Sequence, residues 1–299
     1  MGFFGKFKKK NDAEKQASPE DNKLVDIGLN LAKEGKYNES LEYFDKALNS
    51  NPRNAQAWFY KGASLQYLGR FHDALKCYDK ALQLNPNHTD AWFHRGSTLD
   101  ILGRFDEALD CFTKTVQLNP EDLEAWLNRG AVLMKLGRPD EALKCFDKGI
   151  QLNPENSLSW VNKGALLYKL GKINEALNCF DRALGINPND ALAWFNRALV
   201  LTDMKKFEQA LGCFDRAIEL YPGYVDAYFH KGITLSMLNR HDEALRLLDK
   251  VTQMNPEHAY AWYNKGIILF NLNRREEANR CFMKAKELDP ELRSPTEKP

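Results

Sequence analysis

The chain has 299 residues, 43% hydrophobic and 28% charged, and its 42 Lys and Arg against 41 Asp and Glu leave a formal net charge of +1. That balance excludes wholesale disorder and argues against bulk nucleic-acid binding, while 18 Gly and 12 Pro are too few for a collagen-like or low-complexity chain. No run of 18 apolar residues offers a membrane-spanning helix.

Residues 1–20 read as a disordered basic N-terminal tail. Residues 1–10 hold Lys6, Lys8, Lys9 and Lys10, with Phe3, Phe4 and Phe7 between them and no acid. They lack the apolar stretch of a secretory signal. Lys6 also stands where a myristoylation signal at Gly2 needs Ser or Thr. Lysines interleaved with aromatics suit a weak contact with an anionic membrane surface, each Lys contributing about 1 kcal/mol. A solvated terminus is the other reading. Ser18-Pro19-Glu20-Asp21 then forms a helix start, with a capping Ser, Pro at the first position and acids in the first turn.

From there one period organises the chain. Pro52, Pro86, Pro120, Pro154, Pro188, Pro222, Pro256 and Pro290 are each 34 residues from the last. Trp58, Trp92, Trp126, Trp160, Trp194 and Trp262 share the period, with Tyr228 in the gap. Counting proline as position 32 gives eight units: 21–54, 55–88, 89–122, 123–156, 157–190, 191–224, 225–258 and 259–292. Self-similarity at this period marks a stacked array. Within a unit, Trp58, Gly62 and Leu65 share one face of a first helix, and Ala74, Tyr78 and Ala81 one face of a second. Gly69-Arg70 reads as the turn between them, and Asn85-Pro86 ends the second helix. Residues 293–299 form a C-terminal tail.

Trp at position 4, Gly at 8, Ala at 20, Phe or Tyr at 24, Ala at 27 and Pro at 32 resemble the tetratricopeptide repeat. Departures are Leu24 for Trp, Ala198 for Gly, and Thr115 and Gly149 for Ala at position 27. The resemblance implies an all-α fold, a right-handed superhelical solenoid of eight helix-turn-helix units whose first helices line a concave groove. It further implies a non-enzymatic scaffold that binds peptides or proteins.

The ends look polarised, as a solenoid's terminal faces require. Asn279 and Lys286 replace apolar residues in the last unit, and Lys23 and Asn30 do so in the first. Little chain remains to cover Ile267, Ile268 and Met283, which leaves head-to-head dimerisation open beside the expected monomer.

Cys77, Cys111, Cys145, Cys179, Cys213 and Cys281 all occupy position 23. Equivalent positions on neighbouring helices stand about 8–10 Å apart, beyond the roughly 7 Å a disulfide spans. They read as small packing residues of a reducing, cytoplasmic protein. The six histidines show no metal-ligand spacing, and His88 and His258 read as residues of solvated turns. Gly164 to Lys172 fails the phosphate-loop pattern at Leu166 and Ile173. No nucleophile is paired with a base, so no enzyme, metal or cofactor is expected.

The resemblance places positions 2, 5, 6, 9, 12 and 13 of each first helix on the concave side. Position 6 holds Tyr60, His94, Asn128, Asn162, Asn196, His230 and Asn264, and position 5 holds Phe59, Phe93, Phe195, Phe229 and Tyr263. An Asn amide can bond both groups of one peptide unit. A rise of about 8–10 Å per unit matches roughly three residues of extended peptide at about 3.3 Å each. The polar row thus forms a peptide ladder beside an aromatic wall, although the aromatics can instead pack inward. The arrangement resembles the asparagine ladder in the repeat superhelix of O-linked N-acetylglucosamine transferases, whose catalytic domain this chain has no room for. A carboxylate clamp for a partner's C-terminus is excluded, because positions 2, 5 and 6 hold no Lys or Arg. Lys or Arg at position 7 in seven units is expected to pair with the Asp at position 25. The expected function is a scaffold gripping an extended peptide or protein segment; a membrane-surface tether using residues 1–10 is the alternative.

Overall fold

The computed structural model describes residues 19–295, which form sixteen α-helices and, among the described residues, no strand. The membrane-contact expectation for residues 1–10 and the capping role of Ser18 lie outside the described residues. The helices fall into two compact units, the first ending at Asn153 and the second beginning at Pro154. The first holds α1 (Pro19–Lys33), α2 (Tyr37–Ser50), α3 (Ala55–Tyr67), α4 (Phe71–Leu84), α5 (Thr89–Ile101), α6 (Phe105–Leu118), α7 (Leu123–Lys135) and α8 (Pro139–Leu152). The second holds α9 (Ser157–Lys169), α10 (Ile173–Ile186), α11 (Ala191–Asp203), α12 (Phe207–Leu220), α13 (Val225–Met237), α14 (His241–Met254), α15 (Ala259–Asn271) and α16 (Arg275–Leu288). Odd-numbered helices are the first helices of the repeats and even-numbered ones the second.

Local signals set these boundaries. The residue two after the proline caps the next first helix: Asn54, Asp122, Asn156 and Asp190 accept backbone N–H groups three residues ahead. His88 and His258 do the same through Nδ1. The solvated-turn reading of His88 is corrected here, since the ring is 3% exposed and packs on Phe59 at 4.8 Å. Five of the repeat turns carry Gly with φ between 69° and 80°. Lys205, Asn239 and Asn273 hold the same left-handed conformation at 59–65° in the last three turns of the second unit.

In each compact unit the two helices of a repeat pack together, and each second helix packs on the following first helix. The position-24 rings Phe44, Tyr78, Phe112, Phe146, Phe180 and Phe214 are almost fully buried, each such side chain contributing about 1.5–3 kcal/mol. They lie over the first helix so closely that a Cβ on Gly130 would meet the Phe146 ring at 2.5 Å. Each tryptophan bridges repeats by donating its indole N–H to the carbonyl of the proline six residues earlier, as Trp58 does to Pro52 at 2.9 Å. Trp92, Trp126, Trp160, Trp194 and Trp262 repeat the bond.

Five position-7 cations pair as expected, Lys61 with Asp45, Arg95 with Asp79, Arg197 with Asp181, Lys231 with Asp215 and Lys265 with Asp249, whereas Arg129 donates to Thr113, which replaces the Asp at position 25. Arg95 and Arg197 also donate to the thiols of Cys111 and Cys213 at 3.0 and 2.9 Å. The six cysteines are free and buried, and burial pushes the Cys77 thiol up to about 11. At the C-terminal end Asn279 and Lys286 are exposed. Met283 is 73% exposed, whereas Ile268 is buried, contrary to its expected poor cover.

Candidate functional site

Within the first compact unit α1, α3, α5 and α7 touch in sequence, and within the second α9, α11, α13 and α15 do so. Positions 2, 6, 9 and 13 of one helix lie on one stripe, so neighbouring first helices set these stripes side by side.

The position-6 residues divide. Asn128, Asn162, Asn196, His230 and Asn264 are half-buried. Asn128, Asn196 and Asn264 turn their Nδ2 back to donate to the carbonyls of Glu124, Leu192 and Tyr260, at 2.9, 2.9 and 2.8 Å. With the donor engaged inside the helix, these amides offer Oδ1, an acceptor for peptide N–H. Tyr60 and His94 are buried, at 7% and 9% exposure. Burial holds the His94 imidazole down to about 3 and lowers that of His230.

The expected aromatic wall is largely core. Phe59 is fully buried and Phe195 is 9% exposed; Phe93, Phe229 and Tyr263 are half-buried. Four position-5 rings lean on the position-24 ring of their own repeat: Phe59 on Tyr78 at 6.1 Å, Phe93 on Phe112 at 5.7 Å, Phe195 on Phe214 at 6.0 Å and Tyr263 on Phe282 at 5.8 Å. Position 5 lies three residues before the position-8 residue over which that ring packs, so it shares the inward face.

The side chains that do reach solvent are those of positions 2 and 13. In the first unit these are Asp90 and Glu124 at position 2 and Lys33 and Lys135 at position 13, joined by the exposed Asp26 at position 6 and the half-buried Asp100 at position 12. Asp100 binds Lys135 across to the next first helix at 2.7 Å. The protein around Asp90, and then the neighbouring Asp122, hold its carboxyl above the usual range. Tyr67, stacked on Tyr37 at 4.7 Å, and Ile101, 58% exposed, are the apolar elements. In the second unit Leu158, Leu192, Met237 and Tyr260 are exposed by 46–55%. Lys169, Asp203 and Asp226 are the charges there, and Asp203 accepts a hydrogen bond from Tyr168 at 2.6 Å. These exposed apolar residues were missed in the reading of positions 5 and 6; Leu at position 2 in consecutive units was the available signal.

A recess of about 450 Å³ between α2, α3 and α4 is lined by Trp58, Lys61, Asp45, Arg70, Asp73 and Cys77. Its polar groups are tied up, Lys61 by Asp45 and Asp73 by Arg70. Among the described residues no three His, Cys, Asp or Glu side chains are grouped to hold a metal ion, and no helix is long and apolar enough to cross a membrane.

Paired helices that bury one face and line up the other define a helical-repeat scaffold. The chain belongs to the tetratricopeptide-repeat family. Tetratricopeptide-repeat profiles match residues 55–88, 89–122, 123–156, 157–190, 191–224, 213–246 and 259–292. A protein prenyltransferase alpha subunit repeat profile matches 37–68, which runs from α2 through α3. Proteins of the tetratricopeptide family are generally non-catalytic interaction scaffolds, and protein binding is the class of function the family gives this chain.

No curated protein matches the chain, whereas many solved structures do. YrrB, described as a tetratricopeptide-repeat protein with an unusual peptide-binding site, is 28% identical over 63% of this chain and 97% of its own, with a TM-score of 0.53. A tetratricopeptide-repeat protein from Parabacteroides merdae is 20% identical over 88% of this chain and 100% of its own, at 0.66. The Cut9–Hcn1 complex structure is 16% identical over 94% of this chain and 54% of its matched chain, at 0.66, and shares the fold.

Proposed function

We propose that this chain is a scaffold whose first helices hold an extended peptide or protein segment. The observation that carries the reading is the repeated half-buried asparagine at position 6, with its acceptor oxygen left over from the helix bond, beside outward-facing position-2 and position-13 side chains. A strand laid across neighbouring first helices would donate backbone N–H groups to successive Oδ1 atoms about every third residue. On the second unit its side chains would meet Leu158, Leu192 and Tyr260; a segment held on the first unit would meet Tyr67 and Ile101. The peptide-binding site described for YrrB supports this reading by kinship. Phe93, Phe229, Tyr263 and His230 contribute their exposed edges, whereas Phe59, Phe195, Tyr60 and His94 support the face from beneath.

The test is affinity capture from lysate with the full chain, comparing wild type with Asn128→Ala/Asn162→Ala/Asn196→Ala. Binding partners should be lost from the variant while its circular dichroism stays unchanged; identical partners from both forms would refute the ladder. The alternative, a membrane-surface tether, rests on the composition of residues 1–10 alone. Co-sedimentation with anionic vesicles tests it.

A further inference from the structure

We propose that the junction of α6, α7 and α8 in the first compact unit is an oxyanion site, where a bound phosphoryl or carboxylate group supplies the negative charge that Thr113 withholds from Arg129. The inference concerns the seam between repeats and goes beyond the first-helix reading. Position 25 is Asp in the six other units that precede another repeat, from Asp45 to Asp249, and Thr113 here. The cation it faces is kept. Arg95 donates Nε to Asp79 at 2.7 Å and Nη1 to Cys111 at 3.0 Å; Arg197 repeats the pose on Asp181 and Cys213 at 2.6 and 2.9 Å. Arg129 holds the same pose, with Nε on Thr113 Oγ1 at 3.1 Å and Nη1 on Cys145 Sγ at 3.3 Å, beside the Trp126 ring. The groups bonded to this half-buried guanidinium are therefore neutral, and three of its five N–H donors are left over. Because Thr113 Oγ1 accepts from Arg129, its own hydroxyl proton can point at the same incoming oxygen.

The surrounding charges repeat the deficit. Beyond its own bonded glutamate, the position-16 arginine is attracted by the position-25 Asp at three junctions: Arg104 by Asp79, Arg240 by Asp215 and Arg274 by Asp249. At Arg138 that attraction is missing, and Glu141 and Asp106 are the acids. Glu141 is taken by Arg138 at 2.7 and 2.9 Å, while Arg129 and Lys144 also draw on it. The seam is hollow at the corresponding place elsewhere: the recess beside Lys61 and Asp45 has a counterpart of about 280 Å³ beside Lys231 and Asp215. Lys144 holds the repeat position of Lys76, which lines the first of these. A guanidinium fork, a hydroxyl and a mobile ammonium are the donor set that oxyanions select, through charge-assisted hydrogen bonds.

Nuclear magnetic resonance of the full chain with isotope-labelled arginine tests this at the Nε–H groups, the Arg129 signal being assigned by its loss in Arg129→Lys. Sodium phosphate is titrated in while sodium chloride is withdrawn to hold ionic strength constant. The Arg129 signal should move along a saturating curve, while those of Arg95 and Arg197, already paired with Asp79 and Asp181, should stay in place. A second titration with N-acetyl-aspartate amide separates the sources: a response to phosphate alone makes the ligand a phosphoryl group, and a response to the carboxylate makes it an acidic side chain of a partner. Thr113→Asp installs the residue found in the six other repeats, so it should fold and occupy the site from within. Phosphate affinity should then fall at least about tenfold, as loss of a charge-assisted hydrogen bond implies. An Arg129 signal that moves no more than those of Arg95 and Arg197 with both probes overturns the proposal. Unchanged affinity in Thr113→Asp overturns it too.

Discussion

In the first compact unit the position-2 side chains of the first helices are Asn22, Gln56, Asp90 and Glu124; in the second they are Leu158, Leu192, Asp226 and Tyr260. The inward positions hardly differ between the two: a ring at position 24 over a Gly or Ala at position 8 recurs from Phe44 to Phe214. Packing constrains the inward set because interiors tolerate little change in volume. The outward set is free of that constraint, and there the units have diverged into an acidic face and an apolar one. On the proposed reading, recognition resides in the residues that the repeat pattern leaves unspecified.

Acid should separate the two units most. His88 and His94 are buried neutral in the first, held down to about 4 and about 3. Depressed imidazoles keep their full stabilising effect above the unfolded value near 6.5 and lose it as pH falls through that value. Each then costs about 1.4 kcal/mol per pH unit, so at pH 4.5 the pair removes about 5 kcal/mol. Hydrogen exchange at pH 7 and pH 4.5 should show the first unit opening ahead of the second. His94→Asn, the residue found at that position in four other repeats, should recover about half of the loss.

Position 8 gives the next contrast. Gly130→Ala drives a Cβ to 2.5 Å from the Phe146 ring and should destabilise by about 1–3 kcal/mol. Gly232→Ala meets Leu248 at an ordinary 3.4 Å and should be neutral or stabilising by up to about 1 kcal/mol through helix propensity. Urea midpoints of the two variants check the pair.

The smallest effect is at the turns. Lys205 holds φ 59° where earlier repeats have Gly, so Lys205→Gly should stabilise the second unit by about 1 kcal/mol. Asn239→Gly should gain less, because Asn adopts this conformation more readily. Thermal melts suffice to rank them.

The fold was legible in the sequence because Trp, Gly, Ala and Pro at a 34-residue spacing each answer one geometric need: an indole bond, a close approach, a packed face and a stop. The position-7 cations were legible for the same reason, since Lys61 and Asp45 recur in register. The candidate site was less so. Phe59 and Asn128 sit one step apart on the repeat, yet one is buried and the other half-exposed, a difference set by the lean of the position-24 ring rather than by hydrophobicity. The inward rotation of the asparagine amides likewise depends on a carbonyl four residues back, which residue type alone does not reveal. His88 looked like a turn residue because its ring contact with Phe59 is long-range.

The central claim, that outward-facing first-helix side chains bind peptide and that the two units differ in what they take, is tested most directly by panning a displayed peptide library against the full chain. Three forms are compared: wild type, Leu158→Ala/Leu192→Ala, and Asp90→Asn/Glu124→Gln. The account predicts two enriched classes, uncharged apolar peptides lost from the first variant and basic aromatic peptides lost from the second. A single class enriched equally on all three forms would contradict it and move the binding surface to the second helices.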